Sequence, residues 1–240
     1  MAAPPTQMAD ALVSVVIPSY EEGRTIEEVV RQVAAVPFRT EIIVVDDGST
    51  DGTAVILRRL EGELANLSVV ALPVNRGKGA AVREGIARSH GDIVVIQDAD
   101  LEYSPEDLPR LLEPLLRGVA DAVYGTRLRG GEPQRAHLFW HYAGNRFLSL
   151  LTNVLFNTTI SDMEVGYKAF RGELIRGLHL VSDDFRFEPE VTAKILRTPG
   201  VRLYEIPIAY YGRTFAEGKK ITWRDGIKAL GALVRFRLRP

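Results

Sequence analysis

The hydrophobic pattern begins with a short β-branched run at residues 12–17, stopped by Pro18, which predicts a buried strand. From Thr25 to about Val36 the period changes to that of an amphipathic helix. Glu27 and Glu28 fall in its first turn, where the helix dipole favours acids. The alternation then repeats. Residues 41–45, 67–72, 92–97 and 120–124 read as strands, and residues 52–64 and 79–89 read as helices between them. Ser104 followed by Pro105 marks another helix start, because the proline occupies a position where its missing N–H costs nothing. Strands and helices alternating at this spacing predict an open, mostly parallel α/β sheet with helices on both faces. Right-handed crossovers bring the C-terminal ends of such strands to one edge. The polar clusters 19–22, 46–51, 75–78 and 98–102 follow the first four strands, so they are expected to meet there.

The second half changes character. Residues 137–156 predict a long aromatic amphipathic helix, residues 201–206 a strand, and a basic amphipathic helix begins near Trp223. In that last helix Trp223, Ile227, Leu230 and Val234 share one face and Arg224, Lys228 and Arg235 another. It can lie on an anionic bilayer or pack on the domain. No repeat or linker divides the chain. A loose tail over residues 1–10 and a single domain over 11–240 are expected, with halves at 11–130 and 131–240.

Composition narrows the function classes. A net charge of -1 gives no global reason to expect a nucleic-acid partner. The absence of cysteine excludes disulfides and thiolate chemistry. No apolar run approaches the roughly 18 residues of a spanning helix, and the first ten residues lack the pattern of a signal peptide. A cytoplasmic protein is expected, with peripheral contact at the inner face of the cell membrane as an option.

Three clusters carry chemistry. Asp98-Ala99-Asp100 sets two acids at a strand end, where they repel unless a cation lies between them. Mg²⁺ and Mn²⁺ take oxygen ligands and often share them with phosphates. Asp46-Asp47-Gly48-Ser49 can accept from ribose hydroxyls or a base N–H, or simply form a turn and helix cap. Asn75-Arg76-Gly77-Lys78-Gly79 lacks the spacing of a P-loop, yet its glycines and cations suit close approach of a nucleotide. His137 and His141 stand four apart, with no third metal ligand evident.

Together VVIPSYEEG (15–23), VVDDGSTDGT (44–53), NRGKGAAVREG (75–85) and QDADLEYSPEDL (97–108) resemble the inverting family 2 glycosyltransferases. The similarity is greatest to the dolichyl- and polyprenyl-phosphate sugar synthase branch. It implies a GT-A type fold, a nucleotide diphosphate-sugar donor of the GDP-mannose or UDP-glucose type, and Mg²⁺ or Mn²⁺. By this resemblance Pro18, Tyr20 and Glu22 border the nucleoside, Asp47 contacts base or ribose, and Lys78 belongs to the nucleotide-binding set. Asp98, Ala99 and Asp100 meet the diphosphate and metal, with Glu102, often Gln in relatives, as a further metal ligand.

Later segments point to a polyprenyl phosphate acceptor. Tyr124-Gly125-Thr126-Arg127 resembles the block whose Arg faces the transferring phosphate, and residues 161–168 the lining of the sugar and acceptor site. In the wider family the position of Asp162 is often the base. A phosphate acceptor is already ionised and needs no base, whereas a hydroxyl acceptor would. Glu188 and Glu190 could contact sugar hydroxyls or merely open a helix. Residues 211–220 resemble the acceptor loop, with Arg213, Lys219 and Lys220 as its cations. Two alternatives stand beside this reading: a same-fold transferase with a hydroxyl acceptor and Asp162 as base, and a nucleotide-sugar-binding protein without turnover. The aromatic helix from His137 could also form a homodimer.

Overall fold

The computed structural model describes residues 10–135, 138–214 and 223–238. Among them seven strands form one sheet: β1 (Val13–Ser19), β2 (Thr40–Asp46), β3 (Leu67–Ala71), β4 (Ile93–Ile96), β5 (Ala122–Thr126), β6 (Lys168–Arg171) and β7 (Leu203–Pro207). Their order is β3-β2-β1-β4-β6-β5-β7. Only β6 runs against its neighbours β4 and β5; every other pairing is parallel. Consecutive residues Val15, Val16 and Ile17 are all fully buried, as are Val44 and Val45. Since side chains alternate across a strand, burial of every residue requires cover on both faces. The helices α1 (Ile26–Ala34), α2 (Thr53–Glu63), α3 (Lys78–Arg88), α4 (Leu108–Leu116), α5 (Phe139–Phe156), α6 (Gly172–Gly177), α7 (Phe187–Arg197) and α8 (Trp223–Leu238) provide it.

The expected strands and helices of the first half all form. One boundary differs: β1 continues through Pro18 to Ser19. Its ladder with β4 stops at Val16 opposite Ile96, while β2 still pairs with Pro18. Pro18 therefore has a strand partner on one side only, the setting in which a sheet tolerates proline. The strand β6 and helix α6 are elements the sequence pattern does not announce, while α7 starts where Glu188 and Glu190 offered a helix opening. Four residues of β6 are too few for a period, and the strand starts only at the last residue of the 161–168 segment.

The aromatic helix begins at Phe139, and His137 lies outside the described residues. α5 and α8 share a small core of Leu148, Ile160, Met163, Ala229 and Leu233. α8 buries Ala229, Ala232, Leu233 and Phe236, so Ile227 and Val234 of the expected apolar face stay exposed. The face that packs on α5 and α7 combines two alanines with Leu233 and Phe236. No helix of the described residues is long and apolar enough to cross a membrane.

The turn after β2 depends on Gly48. Its φ is +74°, and a Cβ there would sit 2.8 Å from the backbone N of Asn75 and the carbonyl carbon of Val74. Both the left-handed conformation and the backbone contact exclude a side chain. Gly48→Ala should lower the unfolding free energy by about 1–3 kcal/mol, read as a reduced midpoint in urea. An unchanged midpoint would show that the turn relaxes freely.

Candidate functional site

The sheet reverses its strand order between β1 and β4, and a cleft of about 1070 Å³ opens at the C-terminal ends of these strands. The four polar clusters meet there as expected. Asp47 at the end of β2 accepts the backbone N–H groups of Arg76 and Gly77, both at 2.7 Å. Burial pushes its carboxyl above the usual value, opposed by those two N–H groups. Thr25 does not cap its own helix; its hydroxyl donates to the Ala99 carbonyl at 2.7 Å, tying the β1 loop to the end of β4. Pro18, Tyr20, Glu22, Asp47, Lys78 and the 98–100 segment all line the cleft, with Glu102, Arg127 and Arg213. Asp162 lies behind it, and Lys219 and Lys220 fall outside the described residues.

A chain of alternating charge runs from the cleft wall into the protein interior. Lys78 Nζ is 2.7 Å from Asp98 Oδ1 and 3.2 Å from Glu188 Oε1. The other Glu188 oxygen accepts from Lys168 Nζ, which also donates to the carbonyls of Met163 and Val165. Burial lowers the Lys168 pKa despite the opposing charge of Glu188. Opposite charges raise that of Lys78 against its own burial, Asp98 first and then Glu188. Glu164, also in the cleft wall, is pushed up to about 7 by burial and by the charge of Glu188. Lys168 and Glu164 escape sequence reading as individual site residues, because only the antiparallel β6 brings Lys168 beside β4. Glu188 joins the cleft as anticipated, whereas Glu190 turns away to accept the backbone N–H groups of Val181 and Ser182.

At the cleft mouth Asp98, Asp100 and Glu102 each face a different cation or donor. Asp98 pairs with Lys78, Asp100 with Arg213 at 2.8 Å, and Glu102 accepts from Tyr210 Oη and the Arg213 N–H. Burial and the charges of Asp98 and Glu102 push the Asp100 carboxyl up to about 7. Among the described residues no three acids or histidines form a ready metal cage.

Asp162 forms a separate unit. Its carboxylate accepts Nε and Nη2 of Arg127, each at 2.7 Å, together with the Arg127 backbone N–H and the Asn145 side-chain amide. The Arg127 guanidinium lies 5.0 Å from the centre of the Tyr210 ring. Burial alone would raise the Asp162 pKa, but the charge and hydrogen bonds of Arg127 hold it below the usual value.

A model of glycosyl transferase family 2 matches residues 14–178. The chain belongs to glycosyl transferase family 2. Three relatives of this transferase act on polyprenyl phosphates by name. The undecaprenyl-phosphate mannosyltransferase of Micrococcus luteus is 30% identical over 217 residues, 85% of each chain. The dodecaprenyl-phosphate galacturonate synthase of Rhizobium johnstonii is 29% identical over 95% of this transferase and 68% of its own length. The undecaprenyl-phosphate 4-deoxy-4-formamido-L-arabinose transferase of Pseudomonas aeruginosa is 31% identical over 87% and 60%. This transferase therefore spans well under the full length of two of them. Among solved structures, glucosyl-3-phosphoglycerate synthase from Mycobacterium tuberculosis, in complex with Mn²⁺, UDP and glucosyl-3-phosphoglycerate, matches the fold. The TM-score is 0.75 and the identity 22%, over 99% of this transferase and 85% of that chain. The same synthase was also crystallised with Mg²⁺ and UDP.

The Arg127–Asp162 pair makes a stability prediction. Asp162→Asn leaves a buried guanidinium without its counter-charge, which should cost about 3–5 kcal/mol in urea denaturation at pH 7. A depressed carboxyl pKa stabilises the fold above its unfolded value of about 4 and loses that effect as pH falls through the lower folded value. The gap between wild type and variant should therefore narrow towards pH 3. A gap independent of pH would mean that the carboxylate charge is not what Arg127 requires.

Proposed function

We propose that this transferase moves a sugar from a nucleotide diphosphate-sugar, of the GDP-mannose or UDP-glucose type, to a polyprenyl phosphate, inverting the anomeric carbon. The observation that carries the acceptor is the state of Asp162. A carboxylate that is fully buried, accepts four hydrogen bonds and has a depressed pKa is a poor proton acceptor. A hydroxyl acceptor would need such a base. A phosphate oxygen brings its own lone pair and charge. In this reading that oxygen attacks the anomeric carbon in line, the new C–O bond forms as the bond to the diphosphate breaks, and the nucleoside diphosphate leaves with the electron pair. No proton has to be removed.

The donor would enter with its nucleoside beside Pro18 and Tyr20, its ribose or base near Asp47, and its diphosphate against Lys78 and the segment Asp98, Ala99, Asp100. The residues at the cleft mouth fit a divalent ion. Asp100 and Glu102 offer hard oxygen donors, and burial with the charges of Asp98 and Glu102 disfavours the Asp100 carboxylate even with Arg213 beside it. Mg²⁺ commonly takes one or two carboxylates and completes its shell with substrate phosphates and water, so a full protein cage is not required. Asp98, Asp100 and Glu102 would hold Mg²⁺ or Mn²⁺, which neutralises charge developing on the leaving diphosphate. Asp162 orients Arg127, and Arg127 with Arg213, Lys219 and Lys220 would meet the acceptor phosphate.

The acceptor's tail has a suitable exit. Phe139, Trp140 and Tyr142 at the start of α5 line the cleft and remain exposed, and Phe147, Leu150 and Val154 continue the apolar surface along the helix. This supports peripheral contact with a lipid surface.

The reading is tested by incubating the protein with radiolabelled GDP-mannose or UDP-glucose and a polyprenyl phosphate, followed by organic extraction. Label should enter the lipid phase, and EDTA or Asp100→Asn should reduce transfer at least a hundredfold. Label transferred only to water-soluble hydroxyl acceptors would overturn the lipid-phosphate reading. Full activity in EDTA would overturn the metal.

A further inference from the structure

Arg213 stands on the acids rather than on open space for an acceptor. Its Nη1 and Nη2 lie 3.0 and 3.1 Å from the two carboxylate oxygens of Glu22, and Nη2 lies 2.8 Å from Oδ2 of Asp100. Its Nε is 3.9 Å from Oε1 of Glu102. Burial disfavours the charged guanidinium, yet Glu22, Asp100 and Glu102 outweigh it and hold its pKa above the usual value. The backbone of this segment is fastened as well. Glu102 accepts the Arg213 N–H at 2.7 Å and the Tyr210 hydroxyl at 3.0 Å, and its carbonyl accepts the Tyr211 N–H at 3.0 Å. From the other side Arg135 Nη1 donates to the Gly212 carbonyl at 3.0 Å.

These contacts explain what Glu102 does in this arrangement. It latches residues 210–213 to the end of β4, so that a cation from beyond β7 reaches acids at the ends of β1 and β4. Without that cation Glu22, Asp100 and Glu102 would face one another across a partly desolvated mouth, which is unfavourable. A divalent ion ligated by Asp100 would come within about 2.1 Å of its oxygen. Asp100 Oδ2 already holds the guanidinium and its Oδ1 accepts the Glu102 N–H at 3.1 Å, so a metal ligated by this carboxylate would stand beside Arg213, and the two positive charges would repel.

We propose that Arg213 is the resident counter-ion of the acid cluster, competing with the divalent metal for Asp100. The inference rests on the metal reading above. Without donor, Arg213 neutralises the acids. When the metal-bearing donor arrives, Arg213 is displaced from Asp100, and its planar fork becomes available to an acceptor phosphate beside the cleft. The cation that the acceptor needs is thus withheld until the donor is in place. This enforces an order of binding, donor before acceptor, without a second regulatory site.

Mn²⁺ binding to the whole chain tests this without turnover. Wild type, Arg213→Gln and Asp100→Asn are titrated with Mn²⁺, alone and with UDP or GDP, by calorimetry and by the paramagnetic resonance of free Mn²⁺. A site held by a competitor in most molecules shows an affinity reduced by the fraction left open. Arg213→Gln should therefore bind Mn²⁺ about tenfold tighter than wild type, and Mn²⁺ should raise its melting temperature more. Arg213→Lys, which keeps a cation on a shorter side chain without the fork, should fall between the two and guards against misfolding of the Gln variant. Asp100→Asn should lose the tight binding. Equal or weaker Mn²⁺ binding by both Arg213 variants would overturn the competition while leaving the metal reading intact. Absence of Mn²⁺ binding in every form would remove the metal reading and the competition with it.

Discussion

Carboxylates crowded at the ends of parallel strands repel one another, and the arrangement of this cleft depends on how that repulsion is balanced. Glu22 follows β1, Asp98 and Asp100 follow β4, and Glu188 opens α7. None of the cations that answer them comes from the same element. Lys78 begins α3, Lys168 begins β6, and Arg213 lies past β7. A turn-acid motif becomes a binding site only when distant chain segments deliver these charges. The insertion of β6 antiparallel between β4 and β5 is what places Lys168 beneath Glu188. The irregular second half is therefore part of the electrostatics of the first.

The ion pairs differ in how readily they can be exchanged. Arg127 and Asp162 form a closed bidentate pair, with Asn145 taking part of the remaining acceptor capacity. Opening it would strand two charges in a low-dielectric setting. Lys168 is fully buried and held by two carbonyls as well as Glu188, so it too is a fixed part of the floor. Arg213 is different. It reaches the acids from the rim, is only partly buried, and is joined to a segment secured chiefly by Glu102. The cleft thus combines a rigid charged floor with a rim arginine whose fork spans Glu22 and Asp100.

Local signals in the sequence were enough to bring these polar residues to one cleft. β-branched runs ended by polar clusters locate the strand ends, and Asp47, Lys78, Asp98 and Asp100 come together because parallel strands share an edge. Glu102 and Arg213 were also visible as charged residues in suggestive motifs, but their pairing was not. Residues 111 apart have no periodic relation, and their meeting depends on where β7 lies relative to β4. Lys168 was hidden for a similar reason, since four residues of strand carry no detectable alternation. Of the two options open for α8, its packing uses Ala229, Ala232, Leu233 and Phe236, a face that a count of the bulky positions 223, 227, 230 and 234 does not pick out.

The same contrast bears on chemistry. A transferase that needed a general base would be expected to keep a carboxyl free to take a proton near the reacting centre, with a pKa near the working pH. The two carboxyls raised to about 7, Asp100 and Glu164, do not occupy the position of Asp162. Asp100 is already engaged by Arg213, and Glu164 owes its raised value to burial near Glu188. Asp162, the residue set by resemblance in the base position, is the one whose charge is most thoroughly committed. The buried charge holds two arginines in place, Arg127 on Asp162 and Arg213 on Glu22 and Asp100. That division suits an acceptor that arrives as an anion, for which the obstacle is electrostatic repulsion by the donor diphosphate rather than loss of a proton.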